Sequence, residues 1–169
     1  MPTWFSCQSF YRVCISTVYP QYIYNYLKSK FYAVGVFIDL PKAFDTLNHR
    51  ILLDKLDHIG IRGVPLKLFQ SYLTNRTQAV YCNNKYSFSR RILAGVPQGS
   101  ILGPTLFLIY INDIINSSSK FRFIIYADDI NLLIKDNDIC NLHTDLTLEL
   151  HSVNNWIKLN KLRLNIKKN

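Results

Sequence analysis

Ten of the eleven acidic residues are aspartates and only Glu149 is a glutamate, so the surroundings of each aspartate are informative. Three stand at unusual places. Asp39 closes the apolar run Ala33-Val34-Gly35-Val36-Phe37-Ile38, and Asp128-Asp129 lies between the apolar stretches Phe121–Tyr126 and Ile130–Ile134. A carboxylate at the end of a buried strand is costly unless it is paired or neutralised. If the strands carrying these residues are neighbours, the carboxylates converge on one edge and need a cation. Acid-only oxygen ligation, with no His or Cys nearby, suits a hard ion, Mg²⁺ or Mn²⁺. Successive strand residues face opposite sides, so Asp128 and Asp129 share a direction only where a turn twists them. Spacing by itself also fits, and favours, an Asx-type turn closing a plain hairpin.

The second group is the loop Gly95-Val96-Pro97-Gln98-Gly99-Ser100-Ile101-Leu102-Gly103-Pro104, in which glycine recurs at 95, 99 and 103. Glycines let a backbone approach a ligand closely, and Gln98 offers both a donor and an acceptor. The bland alternative is a loop-to-helix connection with Pro104 at the helix start.

The elements that must position these groups follow from periodicity. Ala33–Ile38 has the continuous apolar, β-branched character of a strand buried on both faces. Pro41 opens a helix whose apolar face carries Phe44, Leu47, Ile51, Leu52, Leu56 and Ile59, with Gly60 as its stop. The pattern predicts a second helix over Val64–Leu73 and a hairpin of Thr77–Cys82 with Tyr86–Leu93 around Asn83-Asn84. An apolar helix follows over about Thr105–Ile115, then the two short strands that flank Ala127-Asp128-Asp129. From Asp138 to Asn160 an amphipathic helix carries Leu142, Leu146, Leu150, Val153 and Ile157, and Lys161–Ile166 has the character of a last strand. This order predicts an α+β fold, helices layered on an antiparallel sheet. Residues 1–30, rich in tyrosine and free of acids, show no clean period and stay unassigned.

Composition narrows the function classes. The 169 residues are 49% hydrophobic and 18% charged, which excludes intrinsic disorder. Twenty Lys+Arg against eleven Asp+Glu, net +9, favour a polyanionic partner such as nucleic acid or acidic lipid. Cys7, Cys14, Cys82 and Cys140 are scattered, giving neither a zinc ribbon nor a disulfide framework, and a reducing, intracellular setting is expected. The most apolar run, Ile101–Ile115, is interrupted by Gly103, Pro104, Asn112 and Asp113 and is too short for a membrane span. No secretory leader and no internal repeat is expected either.

Four stretches, in order, resemble the reverse transcriptases of non-LTR (LINE-like, jockey-type) retrotransposons. Phe37-Ile38-Asp39-Leu40-Pro41-Lys42-Ala43-Phe44-Asp45-Thr46-Leu47-Asn48-His49 is similar to their first catalytic motif. Gly95–Pro104, with Leu106 to Asp113 behind it, resembles the second, Tyr126-Ala127-Asp128-Asp129 the third, and Trp156 with Asn160–Lys168 the region after it. The resemblance runs from about Tyr32 to Asn169, and Met1–Lys30 shows no match to the family's fingers segments.

The resemblance implies a polymerase palm over residues 31–169, with helices packed on one face of its sheet and a partial fingers insertion at 60–93. It implies RNA-directed DNA polymerisation, with an RNA template, a DNA primer and deoxynucleoside triphosphates as partners and a nuclear location. Asp39 and Asp128 would hold two Mg²⁺ (or Mn²⁺) ions, Asp129 would complete the acidic cluster, and the Leu40 carbonyl would assist. Backbone N–H groups of Lys42 and Ala43 would suit the triphosphate, and Phe44 falls where the family sets a ring against the sugar 2′ position. Gln98 and Gly99 would touch nucleotide and template, and Lys168 aligns with a lysine that protonates pyrophosphate. Asp45 and His49 are expected to do structural or surface work, Asp113 to be a turn or helix-end residue, and Trp156 to lie in the core. The basic run Lys158, Lys161, Arg163, Lys167 and Lys168 fits either a phosphate track or a solvated face. The alternative function is a catalytically inactive retroelement fragment that at most binds nucleic acid.

Overall fold

The computed structural model describes residues 31–164 together with Tyr24, Tyr26 and Lys28. Three strands form its main sheet. β1 (Tyr32–Asp39) and β6 (Arg122–Tyr126) are the edges, and β7 (Asp129–Asp136) runs antiparallel between them. The central strand buries Ile130, Leu132 and Ile134 on one face, in register with Ile38, Val36 and Val34 of β1. α5 (Ile139–Leu159) packs on the sheet, and α2 (His49–His58), α3 (Val64–Leu73) and α4 (Leu102–Ile111) share the same core, α2 packing on both α3 and α4. Leu52, Leu56, Leu73, Phe107, Val153 and Ile157 are their buried anchors. Each such side chain contributes about 1.5–3 kcal/mol of transfer free energy. The α+β layering expected from the pattern is the fold observed.

Four local expectations are corrected. β1 is not buried on both faces: its residues alternate, with Ala33, Gly35, Phe37 and Asp39 exposed. An edge strand pairs on one side only, and helices cover only the face of Val34, Val36 and Ile38. Asp39 therefore lies on the open face.

The helix expected from Pro41 to Gly60 is two helices. α1 (Ala43–Thr46) stops at Leu47, whose ψ of 124° is extended, and Asn48 caps α2 by accepting from the Ile51 N–H at 3.2 Å. Leu47 and Asn48 leave the helical path; Leu47 is buried in the core, and the Asn48 side chain satisfies a donor the break exposes.

The apolar helix begins at Leu102 rather than Thr105, with Pro104 in its first turn, and tightens into a 3₁₀ helix over Asn112–Ser117. Residues 161–164 form no strand; Lys161 has φ 54° and ends α5 in a turn, and 165–169 lie outside the described residues. The amphipathic helix and its Asp138 cap stand as expected, the carboxylate accepting from the Cys140 N–H at 2.9 Å.

The Asn83-Asn84 hairpin is present. Both asparagines have positive φ, as a two-residue turn between twisted strands requires. It is built from β3 (Tyr81–Cys82) with β4 (Lys85–Tyr86) and, nearer its base, β2 (Thr77–Gln78) with β5 (Arg90–Arg91). The registers of the two pairs differ by one residue, so the returning strand carries a bulge between Tyr86 and Arg90.

Candidate active site

The antiparallel register places Asp39 directly opposite Asp129, and Tyr126 opposite Asp129 from the other side. Asp128 sits in the tight turn between β6 and β7, just after Ala127, whose φ of 51° turns the chain sharply. Asp128 thus lies in the turn, outside the alternation that governs Asp129. Asp39, Asp128 and Asp129 lie at one corner of the sheet, near enough for the first and second to act on the charge of the third.

Their mutual field is visible in Asp129. Burial, first, and then the charges of Asp128 and Asp39 raise its carboxyl above the ordinary value of 3.8. A site that resists ionisation of its own acids is one a cation relieves. Among the described residues no three His, Cys, Asp or Glu side chains close into a cage able to hold a metal unaided. An open carboxylate corner of this kind fits Mg²⁺, which keeps several waters and takes one or two protein carboxylates with substrate phosphates.

Leu40 follows Asp39 with its side chain fully buried, anchoring the end of β1. Lys42 is left-handed (φ 52°, ψ 38°) and precedes α1, and Ala43 is buried. The Phe44 ring leans on Phe107 of α4, centroids 4.6 Å apart. The seven residues from Asp39 to Asp45 join the acidic corner to a second feature, the glycine loop.

That loop is stapled to the first motif. The Gly95 N–H donates to the Leu47 carbonyl and the Val96 N–H to that of Phe44, both at 2.8 Å. His49 Nε2 meets the Gly95 carbonyl at 2.7 Å, and Gln98 Nε2 donates to Asp45 Oδ1 at 2.8 Å. Ser100 closes the loop's far end, donating to the Pro97 carbonyl and accepting from the Gly103 N–H. Gly99 is exposed with φ +77°. Asp45 and His49 therefore do structural work, as expected, and the work is specific: they hold the loop that carries Gln98. A cleft of about 490 Å³ opens there, lined by Asp45, Arg76, Gln78, Gly95, Pro97 and Gln98 among others. Arg76 was not legible as part of it. Nothing in the sequence separates that arginine from a solvated one, since the hairpin base brings it there.

Asp113 and Trp156 also find structural partners. Lys55 Nζ makes a 2.5 Å contact with Asp113 Oδ1, donates to the Tyr110 carbonyl, and lies 4.8 Å from the Trp156 ring. Lys168 lies outside the described residues. No helix among the described residues is long and apolar enough to cross a membrane.

A three-stranded antiparallel sheet with acids at one corner and helices behind it is the architecture of a polymerase palm. The family model for reverse transcriptase (RNA-dependent DNA polymerase) matches residues 8–169, and the chain belongs to that family. The match also takes in residues 8–30, which corrects the expectation that the likeness begins only near Tyr32 and leaves Met1–Lys30 outside it. Among curated proteins the chain is 33% identical over 152 residues to the RNA-directed DNA polymerase from mobile element jockey of Drosophila melanogaster. It is 32% identical over 155 residues to the probable RNA-directed DNA polymerase from transposon BS of the same fly. These alignments cover 84% and 88% of the chain but only 16% and 17% of the relatives. Among solved structures, telomerase from Candida tropicalis, truncated from the C-terminal domain, superposes with a TM-score of 0.62 at 14% identity, over 88% of this chain and 32% of that one. A second Candida tropicalis telomerase, solved with a fragment of telomeric RNA, gives 0.63 at 13%, over 90% and 29%.

Proposed function

We propose that this chain is the catalytic palm of an RNA-directed DNA polymerase of a mobile element, transferring deoxynucleotides to a primer 3′-hydroxyl on an RNA template. The observation that carries it is the register of Asp39 against Asp129, with Asp128 in the adjoining turn. In this reading Asp39 and Asp128 hold Mg²⁺ or Mn²⁺, Asp129 completes the negative field, and the Leu40 carbonyl is a further oxygen ligand. When bound, such ions stabilise the charge that develops on attacking and leaving oxygens during phosphoryl transfer.

The protein's own residues bind and orient. The N–H groups of Lys42 and Ala43 receive the triphosphate, favoured by the left-handed turn that aims successive amides together. Phe44, braced by Phe107, bars a ribose 2′-hydroxyl. Gln98, held by Asp45, and Gly99 border the nucleotide and template. Lys168 would protonate the departing pyrophosphate. In this reading residues 60–93 are the partial fingers insertion within the 31–169 palm, and the family resemblance favours a nuclear location. A span of about one sixth of the relatives' length favours a second reading for the 169 residues by themselves, nucleic-acid binding without extension.

Primer extension separates the two. Grafted in place of the matching span of the jockey polymerase, the chain should support Mg²⁺-dependent extension on primed RNA, and Asp128→Asn should abolish it while nucleic-acid binding persists. The 169 residues alone should give no detectable product, because near-attack geometry demands a firmer hold on primer and triphosphate than these palm residues supply. Undiminished extension by the Asp128→Asn graft would overturn the assignment.

A further inference from the structure

Every residue of the hairpin from Thr77 to Arg91 is exposed, although it carries Val80, Tyr81, Tyr86 and Phe88. Tyr86 is 77% and Phe88 95% accessible. An isolated two-stranded ribbon gains little stability by itself, and these rings cover no core. Tyr81 and Tyr86 are a cross-strand pair with centroids 4.7 Å apart, so they present a preformed two-ring surface rather than scattered side chains.

The hairpin's own stretch of the chain carries charge of one sign. Between Asp57 and Asp113 the chain has no acidic residue and six basic ones, Arg62, Lys67, Arg76, Lys85, Arg90 and Arg91. Three of these are on the hairpin and Arg76 adjoins its base. A groove of about 390 Å³ along the hairpin is lined by Val80, Ser87, Phe88, Arg90 and Arg91, and shares Gln78 and Ile92 with the cleft beneath Gln98. The groove therefore adjoins the cleft at Gln78 and Ile92.

We infer that this hairpin is a docking platform for single-stranded nucleic acid, whose bases stack on Tyr81, Tyr86 and Phe88 while Arg90, Arg91 and Lys85 meet its phosphates. Aromatic rings interleaved with cations, and no acid to repel a polyanion, are the chemistry that holds single strands without regard to sequence. The inference rests on the polymerase reading only in naming the strand, a template running on toward the cleft.

The test is fluorescence anisotropy with labelled rU20, dT20 and a 20-bp duplex, using the 169-residue chain without nucleotide or Mg²⁺. Wild type should bind both single strands more tightly than the duplex. Tyr86→Ala and Phe88→Ala should each weaken single-strand binding roughly ten-fold, and should leave heparin binding unchanged because heparin has no bases to stack. Arg90→Ala/Arg91→Ala should flatten the dependence of log Kd on log salt by about 0.7 per lost contact. Because these side chains are exposed, unchanged thermal melts certify the fold of each variant. Aromatic variants that bind rU20 as wild type does would overturn the inference. So would sedimentation showing that wild type self-associates through these rings and the variants are monomers. The Asp128→Asn chain should bind like wild type, so failure of polymerisation and failure of the platform give different results.

Discussion

Replacing Gly95 by alanine tests the junction between the two motifs. A Cβ built there falls 2.7 Å from the Asp45 carbonyl oxygen, 2.8 Å from its Cα and 2.9 Å from its carbonyl carbon, all backbone. The residue also has φ +85°, which costs an L side chain about 1–2 kcal/mol. Asp45 cannot step aside freely, because α1 is tied to the loop by the bonds Gly95 N–H to Leu47 and Val96 N–H to Phe44. Overpacking of this kind costs about 1–3 kcal/mol, and loosening either hydrogen bond about 0.5–1.5 kcal/mol. The expected loss is about 3–5 kcal/mol, a large share of the roughly 5–15 kcal/mol of a domain's stability. Gly99→Ala is the internal control. Its φ is +77° but nothing lies within 4 Å, so only the conformational cost of about 1–2 kcal/mol applies. Urea denaturation of both variants, read as a shift in midpoint at constant slope, gives the difference directly. Equal losses at the two glycines would refute the close approach of loop and helix, and with it the placement of Gln98 by Asp45.

Phe44→Val in the grafted polymerase should raise ribonucleotide relative to deoxynucleotide incorporation, with about 1–2 kcal/mol of stability lost as the ring leaves Phe107. An unchanged ratio alongside that loss makes Phe44 a packing residue only. Asp113→Asn should destabilise by about 1–3 kcal/mol, less than a fully buried pair because the Asp113 side chain is 46% accessible. Burial holds the Lys55 ammonium below its ordinary 10.5, with Asp113 opposing. Between that depressed value and 10.5 the unfolded chain holds more protons, so stability attributable to Lys55 rises with pH across this window. Burial raises the Tyr110 hydroxyl above 10.0, which acts with the opposite sign. The measurement is therefore the difference in denaturation midpoint between wild type and Lys55→Met from pH 8 to 10.5, and a flat difference would discount the burial of Lys55.

Chemistry was legible in the sequence wherever it depends on local pattern. The apolar run into Asp39, the acids between two apolar stretches, the Asn83-Asn84 turn and the Asp138 cap each rest on a few adjacent residues. Steric and hydrogen-bonding preferences settle such features at short range. Four motifs in order also carried the family, because together they are far more specific than any one of them. What needed the tertiary structure was every fact that joins distant segments. Residues 39 and 129 become opposite only through the register of β1 on β7. Asp39 faces outward because helices cover only the face of Val34, Val36 and Ile38, which an apolar run cannot announce. The helix breaks at Leu47, which is buried, and the apolar periodicity by itself runs straight through the break. Asp45 holds Gln98 across 53 positions and His49 holds Gly95 across 46. No period in the sequence encodes such pairs, since their energy exists only once the chain has brought both ends together and met the entropy of closing the loop between them.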